Sequence, residues 1–560
     1  NKIKGDIVMK KTVSYWLIAL WFLVMLISYW IFLPPINIFS VAFWLFVLEG
    51  LCLAFGVIAL LSLGGKVQQI TFQVPGSRAR KVVSAPKPAF GKALSAISFA
   101  IAVILLILGA STFLNSRLFR AKSYANVIKV KEADFTSDFP ETNISHLVLL
   151  DRSSAKKIGD TYLGTIDKVS QFGISDDYRQ VTIGEQPYRV SPLEYKSFWK
   201  WFTNHKEGIG YYVKVNQTTG KAELIKLDKG MKYSDSEYFF SDTLRYLRLK
   251  YPTVIFGDPS FEVDDKGNPY YVATTYKPKF MLSSNDPTGA ILLNAVTGET
   301  KRYDLKDIPD WVDRVFSADN VISRVDDYYT YQKGFWNTVF SQTGVKKTTD
   351  SYNYISIGSD IYLYTGITSA TADSSNLGFI LVNMRTREVT NYKLASATET
   401  AAQESAEGEV QEKHYEATAP TLVKLDGKAY YLVSLKDAAG LVKSYAIVDA
   451  EDYQQVTVDN DIETLIAKFT DSDTSALSGV ADNSGESKKV KVITGVVDKL
   501  ASQMISGSTV YYISSSGEIY KVKATTDTTD KLPFLAVGDE FKGELQDDNY
   551  LTKFEVTNQK

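Results

Sequence analysis

The stretch Pro259–Tyr276, PSFEVDDKGNPYYVATTY, decides how this chain is read, because its pattern returns at Pro420–Lys436, PTLVKLDGKAYYLVSLK. In each, an apolar strand runs into a glycine-centred turn and a second strand opens on a tyrosine pair, Tyr270-Tyr271 or Tyr430-Tyr431. Working outward from the first, Gly210–Val215 returns across Thr219-Gly220 to Lys221–Leu227, and Ala290–Asn294 returns across Thr297–Glu299 to Thr300–Leu305. Helices are expected at Ser236–Lys250, with Phe240, Leu244 and Leu247 along one face, and at Ile308–Phe316. Around the second, Phe379–Asn383 pairs with Glu388–Leu394, Ala401–Tyr415 takes the helix position, Ser444–Asp449 pairs with Gln455–Val458, and Ile462–Phe469 closes the unit. Shared element order and the leading proline predict a duplication, with copy 1 at 208–325 and copy 2 within 326–470. Two copies are too few for a propeller or a solenoid, so the expectation is a pair of modules that each bury one sheet face under a helix.

The chain is longer than one core can support, with 560 residues. A net charge of −2 supplies no basic field, and nucleic acid is excluded as a partner on that ground. The single cysteine, Cys52, lies inside an apolar run. The soluble part therefore has no disulfide, thiolate nucleophile or cysteine metal site. Exported domains without cysteine are associated with Gram-positive bacteria.

Three apolar runs, roughly Thr12–Leu33, Ile38–Leu63 and Ala93–Leu114, each exceed the ~20 residues that cross a bilayer. Residues 1–115 thus read as a three-helix membrane anchor. The first run is too long for a cleaved leader, and Pro34-Pro35 turns it into the second. Lys2, Lys4, Lys10 and Lys11 precede the first run, and Lys66, Arg78, Arg80, Lys81, Lys87 and Lys92 separate the second from the third. Basic residues stay on the cytoplasmic side, so the expected topology is N-terminus in and C-terminal part out, in the cell membrane. Arg117, Arg120 and Lys122 oppose this weakly. Gln68–Val74 alternates like a short strand. Glu49 is the one acid inside a run; it reads either as a relay group or helix–helix contact, or as a neutral hydrogen-bonded carboxyl.

Residues 116–207 read as an α/β connecting domain, with a strand at Ile144–Leu150, a hairpin across Gly184, and a helix at Leu193–Phe202 whose Phe198, Trp199 and Phe202 are expected to pack in a core, with a membrane- or ligand-facing stripe as the alternative. Asp326–Trp336, DDYYTYQKGFW, joins the two copies. Tyr328, Tyr329, Tyr331, Phe335 and Trp336 form either a recognition surface or an ordinary strand or seam between copies. Residues 471–488 read as a Ser/Asp/Gly linker. Residues 489–560 read as a small five-stranded barrel similar to an OB-fold, without the basic groove that nucleic acid needs.

The motifs Val263-Asp264-Asp265-Lys266-Gly267 and Leu293-Asn294-Ala295-Val296-Thr297-Gly298-Glu299 resemble PepSY and cystatin-like modules of Gram-positive envelope membrane proteins; Asn383–Glu388 in the second copy lacks the glycine. The resemblance implies an extracytoplasmic binding or regulatory module. Against an enzyme, His146, His205 and His414 lie in separate segments, and no H-E-x-x-H, G-x-S-x-G or P-loop is present. The fold class expected is α+β, and the function a non-enzymatic, membrane-anchored envelope scaffold without cofactor or metal. Its partners would be the bilayer, further copies of itself or an envelope protein. Alternatives are an extracytoplasmic regulator of a wall hydrolase or protease, and a transporter component.

Overall fold

The computed structural model describes residues 2–63, 68–73, 80–85, 88–163, 170–370, 375–477, 480, 491–505, 508–523, 532–545 and 550–558. It divides into two compact units, 1–484 and 485–560. The fold is mixed α+β: three helices long and apolar enough to cross a membrane come first, Lys2–Phe32, Val41–Leu63 and Pro88–Leu114, and sheets follow. The first two helices are cross-linked where Ser28 donates to Glu49 at 2.6 Å and the Trp21 indole to the Gly50 carbonyl at 3.0 Å. Gln68–Gln73 and Arg80–Ala85 form an antiparallel hairpin between the second and third helices.

Beyond the three long apolar helices, the described residues of the first unit form four five-stranded sheets rather than two modules. The first runs from Phe172 to Met231, the second from Ile255 to Asp304, the third from Lys346 to Lys393 with Val130–Asp134 as its fifth strand, and the fourth from Glu416 to Asp459. The boundary expected at 207/208 cuts the first sheet, and the one at 325/326 cuts a helix, Ala318–Tyr331. One plan recurs in all four sheets. Tyr188 lies opposite Asn216, Tyr270 opposite Asn294, Tyr362 opposite Asn383 and Tyr430 opposite Asp449. Each of those Asn or Asp side chains accepts from the backbone N–H groups two and three residues on, closing the same Asx turn four times.

The residue after each of these positions has its carbonyl taken by the segment that leads into that sheet. Leu149 and Leu150 donate to Gln217, Lys232 and Tyr233 to Ala295, Val315 and Phe316 to Met384, and Ala397 to Ala450. The linking segment therefore wedges between one sheet and the next. The cores follow the same order. One cluster joins the first, second and fourth sheets, another the second and third, and another the third and fourth. The segment before the first sheet closes the circuit, because Ser434 in the fourth sheet donates to the Leu149 carbonyl at 2.7 Å. Buried Lys424 holds the same segment further back through the Thr136 and Phe139 carbonyls at 2.7 and 2.9 Å. Four antiparallel blades in cyclic order make a small β-propeller. Val130–Asp134, just past the last membrane helix, adds a parallel strand to the outer edge of the third blade.

Asn294→Ala should lower the stability of this unit by about 1 kcal/mol, the net worth of the Asx hydrogen bonds, whereas Asn294→Asp keeps the acceptor and should be near neutral. Denaturant midpoints of the two variants check this.

Several expected elements differ. The Leu193–Phe202 helix is a strand up to Tyr195 and a helix only over Phe198–Asn204, begun by a Ser197 cap. Of Ser236–Lys250 only Thr243–Lys250 is α-helix, capped by Asp242. Ile308–Phe316 forms no helix, since its backbone is spent on the wedge against Met384. Ile144–Leu150 pairs with no strand; it carries a short 3-10 turn, Ile144–His146. The helix expected over Ala401–Tyr415 spans Glu399–Glu409.

The second unit has two three-stranded sheets around Val497, Ile513, Val522, Phe541 and Phe554. Its expected first strand is two, Lys491–Val496 and Lys499–Ile505, pairing with Glu540–Leu545 and Ser508–Ser515 respectively. The linker expected at 471–488 lies largely outside the described residues.

Candidate functional site

The innermost strand of each blade is interrupted at about the same height. In the first, second and fourth blades the strand splits in two, around Ser175–Tyr178, Gly257–Pro259 and Thr418–Pro420, and in the third its register slips between Thr348 and Tyr352. The gaps of the first three open into a cleft of about 580 Å³ whose wall includes Asp177, Arg179, Arg189, Asp258, Arg314 and Tyr354.

Its floor is built from arginines that come from separate elements. Arg179 and Arg189 stand on paired strands of the first blade, on adjacent rungs of the ladder. Arg314 belongs to the wedge leading into the third blade and is fixed there by the Val315 and Phe316 hydrogen bonds. Its guanidinium lies 4.2 Å over the Tyr354 ring and donates to the Tyr354 hydroxyl at 2.6 Å. Arg189 donates to the Tyr178 carbonyl at 3.1 Å. The Nε atoms of Arg189 and Arg314 are both buried with no hydrogen-bond partner. Arg179 reaches Asp177 at 3.5 Å; among the described residues Arg189 and Arg314 form no ion pair. Burial pushes the Arg189 guanidinium down to about 10, and the nearby charge of Arg314 pushes the same way. Two guanidiniums with buried, unpartnered Nε atoms and no ion pair among the described residues face one opening.

Behind this floor lies a pair of fully buried carboxyls. Asp313 donates its N–H to Glu262 at 3.1 Å and accepts from the Thr182 N–H at 2.8 Å. Burial raises both well above the carboxylate range, Glu262 to about 7, although Arg179 pulls it down. They do not neutralise the cleft at the pH where they hold their protons. Two hydroxyl groups in the wall are committed to the backbone: Ser260 donates to the Val272 carbonyl at 3.2 Å and Thr274 to the Val315 carbonyl at 2.7 Å. The arrangement suits an oxyanion that accepts from several guanidinium N–H groups at once.

The aromatic connector is helical, not a strand. Tyr328, Tyr329 and Tyr331 fall on the helix Ala318–Tyr331, and Phe335 and Trp336 begin a second, Phe335–Val339. Tyr329 is buried in the core between the second and third blades, with Tyr328 packed against it. Tyr331 lines a shallow groove beside the Arg117–Asp327 ion pair, which closes at 2.6 Å. Trp336 is exposed, 62% of its surface open. The structure thus spreads these residues over core, groove and surface. Glu49 sits on the second spanning helix with Ser28 as its partner. The arginines were missed because they are far apart in sequence. The one local signal is Arg189, a charge set between Tyr188 and Val190 in the strand Gln186–Tyr195.

The chain matches no family model and no curated protein. Among solved structures it is similar to cobalt-substituted apocarotenoid oxygenase of Synechocystis, with 8% identity, 50% of this chain and 48% of that one covered, and a TM-score of 0.12. A point mutant of the Synechocystis enzyme gives 9% identity, coverage of 51% and 50%, and a TM-score of 0.12. The chain spans about half the length of these structures, and scores so low assign it neither a fold nor an activity.

Proposed function

We propose that this is a non-enzymatic, membrane-anchored cell-envelope protein that binds an anionic ligand outside the cell. The N-terminus and the basic hairpin between the second and third spans lie in the cytoplasm, and the propeller lies outside. The observation that carries the reading is the floor of the cleft, where the Nε atoms of Arg189 and Arg314 are buried without a hydrogen-bond partner and neither guanidinium is paired by an acid among the described residues. A buried cation without a counter-ion costs free energy that a bound anion restores, and such strain is kept at sites that meet a charged ligand. Rim acids, Asp258 and Asp319, would discriminate against polyanions that lie flat across the opening and favour a single phosphate or carboxylate that reaches the floor.

The test is titration of the detergent-solubilised full chain with inorganic phosphate and, separately, with a small dicarboxylate. Arg314→Gln or Arg189→Gln should weaken binding about 10- to 100-fold, the worth of one charge-assisted partner. Binding that is absent, or unchanged in both variants, overturns the reading. Topology is checked on intact cells, where external protease should cleave the propeller and spare the N-terminal segment.

A further inference from the structure

The underside of the propeller carries large apolar side chains that are left exposed among the described residues. Trp199 is 71% exposed, Phe240 64%, and Phe340 78%; Phe202, Phe239 and Met281 are also more than half open to solvent. These are not scattered. The Trp30 ring, at the end of the first spanning helix, meets Phe240 at 5.3 Å between centroids. From there Phe239 contacts Trp201 at 5.6 Å, and Trp201 contacts Phe198 at 5.3 Å, next to Trp199 and Phe202. A second patch starts at the third spanning helix, where Phe113 meets Phe119 at 5.1 Å. The short helix that carries Phe119 packs beside the one that carries Trp336, whose ring stacks on Phe340 at 5.7 Å.

Both patches adjoin places where the spans meet the blades. The Ile36 N–H donates to the Pro252 carbonyl at 2.7 Å and the Asn37 amide to the Thr253 carbonyl at 2.9 Å. On the far side, Ser283 donates to the Ser111 carbonyl at 3.3 Å, beside Phe280 stacked on Tyr124 at 4.0 Å. The end of the first span, the start of the second and the end of the third necessarily share one side of the bilayer. The aromatic patches are therefore continuous with the level at which the spans leave the hydrocarbon. Amphipathic rings are favoured at that level, and the Arg245 guanidinium, 4.5 Å over the Trp30 ring, places a cation at headgroup height.

We propose that the propeller is seated on the lipid leaflet nearest it, with the Phe239-Phe240 and Trp199 patch and the Trp336 and Phe340 patch inserted as two interfacial anchors on either side of the spanning helices. The blades do not swing freely above the membrane on a tether; their orientation, and the distance of the arginine cleft from the headgroups, are fixed by these contacts. Lipid is the occupant, rather than a second copy or another protein, because the first patch touches Trp30 of a spanning helix and the second is carried on a helix packed beside the one that follows the third span.

The single cysteine makes the test direct. In a Cys52→Ser background, full-length protein carrying Phe240→Cys, Trp336→Cys or Asp265→Cys is spin-labelled and reconstituted into phosphatidylglycerol/phosphatidylcholine vesicles. Asp265 is exposed on the turn at the far end of the ten-residue strand Pro269–Pro278, about 30 Å from the Ser283 contact at 3.3 Å per residue. Labels at 240 and 336 should collide with oxygen several-fold more than with a water-soluble nickel chelate, and the label at 265 should show the reverse. Nickel-accessible labels at both 240 and 336 overturn the proposal, as do labels shielded from both agents, which would mean a protein covers the patches. All three positions are exposed, so none of the substitutions removes core packing.

Discussion

Phe379→Ala should destabilise the propeller by about 3–5 kcal/mol, the cost of emptying a fully buried aromatic site that cannot collapse. Phe379 has no exposed surface and sits on the central strand of the third blade, Gly378–Asn383. Its ring meets Tyr431 of the fourth blade edge-on at 6.0 Å and Phe135 at 6.2 Å. Phe135 follows the parallel strand that ties the exit of the membrane helices to the third blade. One truncation therefore loosens the interface between two blades and the attachment of the N-terminal strand together. Tyr453→Ala, an exposed aromatic on a turn of the fourth blade, is the control and should stay within about 0.5 kcal/mol. Urea midpoints followed by near-ultraviolet circular dichroism separate the two. A Phe379→Ala midpoint equal to that of Tyr453→Ala would show that the third and fourth blades do not share a packed core.

The propeller should also be less stable at pH 8 than at pH 5, the reverse of the usual behaviour of carboxylates held by ion pairs. Burial raises Glu262 to about 7, Glu237 to about 7 and Asp235 to about 6, and lifts Asp313 as well. Trp201 and Tyr195 oppose the rise at Glu237, and Thr243 opposes it at Asp235, but burial wins in each case. Unfolded, these groups release their protons near pH 4. Between pH 4 and pH 7 the folded state therefore binds more protons than the unfolded, and stability falls as pH rises. The contribution is fully present below about pH 4 and is lost as pH passes through 6 to 7. Glu262→Gln keeps an acceptor for the Asp313 N–H and removes one titration, so it should flatten the slope between pH 5 and 8 by on the order of 3 kcal/mol. The same carboxyl links to the cleft. An anion bound at Arg179 and Arg314 cancels the field that lowers Glu262, so binding should take up a fraction of a proton near pH 7 and weaken as pH rises. Calorimetric titration in buffers of different ionisation enthalpy reads that uptake directly.

The three spans and the hairpins were legible in the sequence because both signals are local. A run of apolar residues long enough to cross a bilayer has one reading, and alternation around a Gly or Asn turn fixes a hairpin within about fifteen residues. Pro259–Tyr276 and Pro420–Lys436 stood out because each combines a proline, a glycine turn and a tyrosine pair. The first and third blades carry the same plan with Pro187-Tyr188 and Ile361-Tyr362 in place of a tyrosine pair, so the local pattern marks only two of the four. Even the missing glycine of the third blade was no departure: Arg387 adopts φ +63°, close to the +72° and +75° of Gly220 and Gly298. Its side chain then bonds Asp286 at 2.7 Å and lies 5.2 Å from the Phe316 ring, contacts that accompany a conformation glycine would reach without strain.

The aromatic face of Phe198–Phe202 shows the other limit. Periodicity says which side of a helix is apolar but not what covers it, and a side turned toward lipid reads the same as one turned toward a core. Trp199 and Phe202 are exposed, while Trp201, one step away, is buried against Tyr238. The cleft lay further out of reach. Arg314 stands 125 positions after Arg189, on a wedge segment with no regular structure, and only closure of the ring brings their guanidiniums together. Sequence by itself determined which segments are long and apolar enough to cross a membrane and where strands pair with their neighbours, since those follow from hydrophobicity and hydrogen bonding over short spans. Tertiary structure alone decided the number of blades, their cyclic order and the charge of the space between them, because each depends on surfaces buried between residues that are distant in the chain.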